Sequence, residues 1–153
     1  MYFQGDIGFI PLSAFDSKLK INRTTPIRTT EKRLLIQEGE ITGHHHGIWF
    51  VPQPTMYHDG ALARSMEVAQ PAKTAATLYA DPELLAKLEK TGFIEQGAPV
   101  IGFLAADEAV TIRHASEEGK ATGEHDPIKL TKGEYLVIGK REWSAGDQRR
   151  VQD

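Results

Sequence analysis

The sequence predicts a single, mainly β domain, a small barrel or sandwich with one short helix near residues 82–91. Three observations support this class. Short apolar segments recur along the chain, glycine or proline separates them, and only one segment shows the periodicity of an amphipathic helix. At 153 residues the chain has the usual length of one domain, so we assign residues 1–153 to a single domain.

The strand predictions follow the apolar runs in chain order. They cover residues 7–12, 33–37, 40–42 continuing in 47–51, 66–69, 76–79, 100–105, 109–114, 128–130 and 134–138. In the segment 109–114 apolar and polar residues alternate, which indicates a half-buried strand. The polar stretch 13–32, which contains Pro26, is predicted to be a loop or an exposed edge.

The helix prediction rests on signals at both ends of one segment. Asp81 is a favourable N-cap residue and Pro82 suits the first helical position. Leucines three and four residues apart then form an apolar stripe, and Gly92 is placed to end the helix. The segment 82–91 is therefore predicted to pack one face against the sheet.

Composition excludes several classes of function. The chain has no cysteine, which rules out disulfides, thiolate zinc sites and a cysteine nucleophile. The net charge of −3 argues against nucleic-acid binding, and no apolar run reaches the length of a membrane span. No signal peptide is visible, so we expect a cytoplasmic protein. The chain also lacks a Gly-x-Ser-x-Gly elbow and a phosphate-binding loop.

Three consecutive histidines are the most specific chemical feature of the sequence. On a β-strand, alternate side chains share a face, so His44 and His46 are expected on one face and His45 on the other. Two imidazoles placed in this way can bind one divalent metal ion, with Zn, Fe or Mn as the candidates. The triplet can equally form a surface turn or part of a hydrogen-bonded polar core.

Further ligands would have to come from distant parts of the chain. His114 ends a predicted strand, and His125 precedes the last predicted hairpin. Glu40 or Glu124 could supply a carboxylate. The predicted metal-ligand set is therefore His44, His46, His114 and His125.

Several segments resemble blocks of one family of small uncharacterised bacterial and phage-related proteins. Residues 39–46 resemble its GEVTGHxH block, and residues 4–11 resemble its opening QGDV…P strand. Residues 125–143 resemble its HxPIxLxxGxYxVxxQREY block, and residues 149–153 resemble its usual ending. The middle segment, about 52–96, has no counterpart in these blocks.

The resemblance implies which histidines matter but supplies no reaction. It points to His44, His46, His114 and His125, although the ten residues 115–124 separate the last two, which lie close together in a HEEH pattern in shorter relatives. It also implies that the residues after Phe3 are native, although residues 2–5 resemble a protease-tag remnant. The order of the motifs is only loosely similar to that of a cupin, because no glutamate follows the HxH pattern at the expected place.

Two functions from different classes compete at this point. The favoured one is a binding or structural domain, a homo-oligomer or a phage-associated component, with an apolar outer patch near Trp143 or Phe93. The alternative is a cupin-like metalloenzyme, in which His44 and His46 hold a metal with an open coordination position. A weaker third interpretation, a nucleic-acid accessory protein acting through residues 149–150, conflicts with the net charge.

Overall fold

The computed structural model describes residues 2–4, 6–29, 33–38, 45–49, 57–58, 61–62, 75–115, 126–139, 141–144 and 147–150. Its elements are β1 (Tyr2–Gln4), β2 (Ile7–Pro11), β3 (Pro26–Ile27), β4 (Arg33–Glu38), β5 (His45–Trp49), β6 (Tyr57–His58), β7 (Ala61–Leu62), β8 (Ala76–Tyr79), α1 (Pro82–Lys90), β9 (Val100–Ala106), β10 (Val110–Ala115), β11 (Ile128–Leu130), β12 (Gly133–Gly139), β13 (Arg141–Ser144) and β14 (Asp147–Arg150). A short 3-10 turn, Leu12–Ala14, follows β2.

Two antiparallel sheets make up most of the fold. The large sheet has six strands in the order β1-β2-β12-β9-β8-β3, and the small sheet has four in the order β11-β10-β5-β4. Two separate hairpins, β6-β7 and β13-β14, account for the other described strands. Because neither sheet closes on itself within the described residues, the architecture is that of a sandwich rather than a closed barrel.

The main core lies between the two sheets. Leu104 and Val137 of the large sheet belong to one apolar cluster with Leu34, Ile48 and Ile112 of the small sheet. All five side chains are almost completely excluded from solvent. Burying an aliphatic side chain of this size contributes about 1.5–3 kcal/mol, so this shared cluster holds the sheets face to face.

The outer face of the large sheet carries a second core. Phe103 and Leu136 of this sheet pack with Leu84 and Leu88 of α1 and with Leu12. The large sheet is therefore covered on both faces. This explains why β9 is apolar along its whole length and does not alternate with polar residues.

The helix forms as its end signals predict. The Leu84 N–H donates to Asp81 Oδ1 at 3.0 Å, and the Asn22 N–H donates to Asp81 Oδ2 at 2.8 Å. Gly92 follows the helix with a φ of 79°, a left-handed conformation that glycine adopts without steric cost. The predicted range 82–91 is confirmed to within one residue.

Most of the predicted strands within the described residues are confirmed, and the exceptions have physical reasons. β8 and β11 match the predicted ranges 76–79 and 128–130, whereas 40–42 and 66–69 lie outside the described residues. The strands β1, β6, β7, β13 and β14 are not anticipated, because antiparallel backbone pairing forms them without an apolar pattern. Pro26 lies in β3 at the edge of the large sheet, where a missing N–H costs no ladder bond, as the exposed-edge interpretation expects.

A substitution at Gly47 tests how closely β4 and β5 are packed. A Cβ atom at this position would lie 2.6 Å from the backbone oxygen of Leu34. We expect Gly47→Ala to lower the free energy of unfolding by roughly 1–3 kcal/mol, because the neighbouring backbone cannot move aside without disturbing the ladder. Urea denaturation measures the change. Gly133→Ala is the control, since a Cβ there meets nothing closer than 3.7 Å. Equal stability of the two variants would contradict the expectation.

Candidate functional site

Five polar side chains gather in the interior of the sandwich, in contact with both sheets. Each is less than one tenth exposed, and His46 is completely buried. They come from β1, the turn before β2, and strands β4, β5 and β10. We call this group the polar centre, and its members are Gln4, Asp6, Gln37, His46 and His114.

Strand register brings the two histidines together. His46 on β5 and His114 on β10 are direct cross-strand partners in an antiparallel pair. Their ring centroids lie 4.6 Å apart with an interplanar angle of 57°. Side chains in directly opposed positions share a face of the sheet, so both imidazoles occupy the same interior region.

A bulge in β4 adds Gln37 to the polar centre. The register between β4 and β5 shifts between Leu35 and Gln37, and His46 pairs with Gln37. Ile36 and Gln37 are both buried, although consecutive residues of a regular strand point to opposite faces. The extra residue thus allows an apolar side chain and an amide to enter the interior side by side.

Gln4 connects the polar centre to the small sheet. Its Nε2 donates to the backbone oxygens of Ile112 at 3.1 Å and Asp126 at 2.8 Å. These two carbonyls use both amide hydrogens and fix the orientation of the amide. Gln4 Oε1 then lies 3.0 Å from His46 Nδ1, so this nitrogen must be the protonated donor. The hydrogen-bond network thereby sets the tautomer of His46 and leaves its Nε2 for another interaction.

The second nitrogen of His46 faces a carboxylate. His46 Nε2 lies 3.7 Å from Asp6 Oδ1, and Gln37 Nε2 donates to Asp6 Oδ2 at 3.2 Å. A neutral imidazole of this tautomer and an ionised carboxylate both present lone pairs across that gap. A buried carboxylate also requires a compensating charge. A proton on His46 Nε2, a proton on Asp6, or a cation between the two groups is compatible with this pair.

The structure brings together two of the four predicted metal ligands. His46 and His114 are neighbours, whereas His44 and His125 lie outside the described residues, as do Glu40 and Glu124. His45 is buried beside His46 on β5, and its pairing partner on β10 is Ala115. In the described ranges, no set of three His, Cys, Asp or Glu side chains has an arrangement that could hold a metal ion by itself.

Sequence analysis missed the three remaining members of the polar centre. Gln4 and Asp6 entered only through the resemblance of the opening block, and Gln37 only as the end of a predicted strand. A usable signal was present for Asp6, because it directly precedes the predicted apolar strand 7–12. No comparable local signal marks Gln4 or Gln37, since glutamine at a strand end is ordinarily solvated.

A second polar network lies on the surface and has a structural role. Arg23 contacts Asp107 at 2.9 Å and Glu134 at 3.1 Å, and the hydrogen bond that Arg23 donates to Asp107 is the main cause that raises the pKa of Arg23. Glu134 Oε1 also accepts from the Ile21 N–H at 2.9 Å. The network fixes the segment before β3 against the turn between β9 and β10. On the small sheet, burial lowers the pKa of Arg113 from its ordinary value.

No protein-family model matches this chain, and no curated protein or solved structure is significantly similar to it. The resemblance of the sequence blocks therefore stays a prediction. None of the helices in the described part of the chain has the length and hydrophobicity needed to cross a bilayer. What can be argued about function comes from the polar centre itself.

A substitution at Gln4 tests whether the hydrogen bonds of the polar centre stabilise the fold. Leaving a buried hydrogen-bonding group unsatisfied costs about 1–3 kcal/mol, so we expect Gln4→Leu to lower the free energy of unfolding by about 2–4 kcal/mol. The loss of stability arises because leucine cannot form the hydrogen bonds that the Gln4 amide makes with His46 Nδ1 and with two backbone oxygens. Chemical denaturation measures it, with Gln96→Leu on the exposed surface as the control. A Gln4→Leu protein as stable as the control would show that these contacts are dispensable.

Proposed function

We propose that this chain is a binding or structural β-domain whose polar centre holds a divalent metal ion through His46 and His114. His44 and His125 are the further ligands expected from the sequence. The observation that carries the proposal is the fixed orientation of His46. Its Nδ1 donates to Gln4 Oε1, and its Nε2 faces the Asp6 carboxylate at 3.7 Å.

This arrangement has the form of a metal-bound histidine. Metal-ligating imidazoles ordinarily donate their second N–H to an oxygen acceptor, which sets the tautomer and the ring orientation. Gln4 Oε1 is such an acceptor for His46, and the cross-strand position of His114 supplies a second imidazole at the same place. Imidazole ligands suit Zn and Fe, which are two of the three metals expected from the sequence.

Burial favours a structural role over catalysis. Structural metal sites are closed by protein ligands, whereas catalytic sites keep a coordination position open for water or substrate. His46 is 0% exposed and His114 is 3% exposed. A cupin-like metalloenzyme would need an accessible pocket at these imidazoles. We therefore favour the binding or structural domain and assign no reaction.

The homo-oligomer expected from the sequence stays a prediction. Phe93, one of the two residues expected in an apolar patch, is 41% exposed and lies 5.4 Å from Phe15 between ring centroids. Sedimentation velocity of the wild-type protein with and without EDTA measures the assembly. We expect a species larger than the monomer that survives chelation, because an apolar patch and not the buried metal would join the copies. A monomer under both conditions would contradict the prediction.

Metal content tests the proposed function directly. We expect wild-type protein, purified without a nickel column, to carry about one divalent ion per chain by elemental analysis. The double variant His46→Ala/His114→Ala should lose that ion, because both imidazoles are removed.

His58→Ala is the matched control, since it removes a histidine of the separate β6-β7 hairpin and should leave the metal content unchanged. Circular dichroism verifies that each variant folds. Wild-type protein that neither contains a metal nor takes up added zinc would refute the proposal.

A further inference from the structure

We infer that the outer face of the small sheet, which is turned away from the large sheet, binds a small oxyanion through Arg113 and Trp49. The ligand chemistry is a phosphate or carboxylate group. This site is separate from the proposed metal ion, since His46 and His114 lie on the inner face of the same two strands. Within the described residues, neither the guanidinium of Arg113 nor the indole N–H of Trp49 has a protein acceptor.

Strand register places these two side chains on one face. Ile48 and Ile112 belong to the core between the sheets, so their neighbours along β5 and β10 face outward. Arg113 is the direct cross-strand partner of Gly47. Trp49 follows Gly47 by two residues, which makes it a diagonal neighbour of Arg113 at roughly 7–8 Å, within reach of long and aromatic side chains. A Cβ atom at Gly47 would lie 3.5 Å from Trp49 Cζ3, so the indole extends back over Gly47 toward β10.

The indole of Trp49 is a buried donor that lacks an acceptor. Trp49 is 3% exposed, and its Nε1 has no hydrogen-bond partner in the part of the chain that the structure describes. A buried tryptophan N–H ordinarily finds a partner, because an unsatisfied buried donor lowers the stability of the fold. An indole nitrogen only donates, so the group that would complete this site must be an acceptor.

The guanidinium of Arg113 makes no ion pair with a carboxylate of the described residues. This side chain is half-buried, and burial is the cause that lowers the pKa of Arg113. Arg23 shows the contrast, because its guanidinium pairs with Asp107 and Glu134 and its pKa is raised. A guanidinium presents a planar fork of N–H donors that matches two oxygens of one carboxylate or phosphate group.

Charge and exposure define the class of ligand. Arg33 is the cross-strand partner of Trp49, and Lys129 lies on β11 beside the outer face of β10, so cationic residues flank the two donors. Glu38, the acidic residue of β4, lies at the other end of β5. Because Arg113 is half-buried and Trp49 is almost completely buried, the ligand is a small anionic group that enters along Arg113.

The indole N–H signals of the wild-type protein test the site without any substitution. Inorganic phosphate and acetate are titrated separately, at constant ionic strength and with EDTA present, and the tryptophan Nε1–H signals are followed by NMR. We expect the Trp49 signal to move downfield and to saturate with at least one anion, because an anionic oxygen accepts from this N–H. The anion that binds more tightly identifies the ligand as a phosphate or a carboxylate.

Trp143, in the separate β13-β14 hairpin, is the internal control, and a Trp49→Phe spectrum assigns the two signals. A Trp49 signal that moves with neither anion would overturn the inference. Equal movement of both tryptophan signals would indicate a general effect of salt and would overturn it as well.

Two matched variants test the contribution of the guanidinium. Arg113→Gln removes the charge and the donor fork from the proposed site, and Arg23→Gln removes the same groups from a guanidinium that is already paired. Hydrogen bonds to charged groups are strong, so Arg113→Gln should raise the Kd of the tighter-binding anion roughly tenfold or more. Arg23→Gln should leave this Kd within about twofold of wild type, because it belongs to a different network.

A third variant covers the case in which Arg113→Gln does not fold. Arg113→Lys keeps the charge without the planar fork and should bind the anion with an affinity between those of wild type and Arg113→Gln. Circular dichroism verifies that each variant folds. A wild-type Kd for both Arg113 variants, or equal losses of affinity in Arg113→Gln and Arg23→Gln, would overturn the inference.

Discussion

The buried contact between Asp6 and His46 is the constraint on which the rest of the site depends. A carboxylate and an imidazole lie inside a sandwich of aliphatic side chains, 3.7 Å apart and excluded from solvent. In such surroundings an ionised group costs several kcal/mol unless hydrogen bonds or an opposite charge compensate it. Gln4 orients His46, and Gln37 orients the Asp6 carboxylate, through one hydrogen bond each.

The fold and the polar centre depend on each other. Gln4 spans from β1 to the backbone of β10 and to Asp126, and thereby ties an edge of the large sheet to the small sheet. At the opposite edge, the Leu35 N–H donates to Arg28 O at 3.0 Å and joins β4 to the segment after β3. The sheets are thus linked at both sides of the core, and the polar centre forms only when these strands have assembled.

The division of the large sheet into two faces explains why the site has a rigid support. One face packs on the small sheet, and the other packs on α1 and the segment around Leu12 and Leu19. Strands buried on both faces have little freedom to separate, which keeps the donor atoms at fixed distances. This rigidity suits a closed metal site that stabilises a domain, as we propose, more than a site that must open to exchange substrate.

Local patterns in the sequence determined the class of fold, the position of the helix and most strands. Asp81, Pro82 and Gly92 define α1 because capping and positive φ act within a few residues. Strand alternation also identified His46 as a candidate metal ligand. Three consecutive histidines can be recognised in the sequence before it is known which strands pair. Only the tertiary structure decided that Asp6 and Gln37, separated by 31 residues, meet beside it. Strand pairing and the bulge in β4 control that meeting, and a local apolar pattern contains no information about which strands will become neighbours.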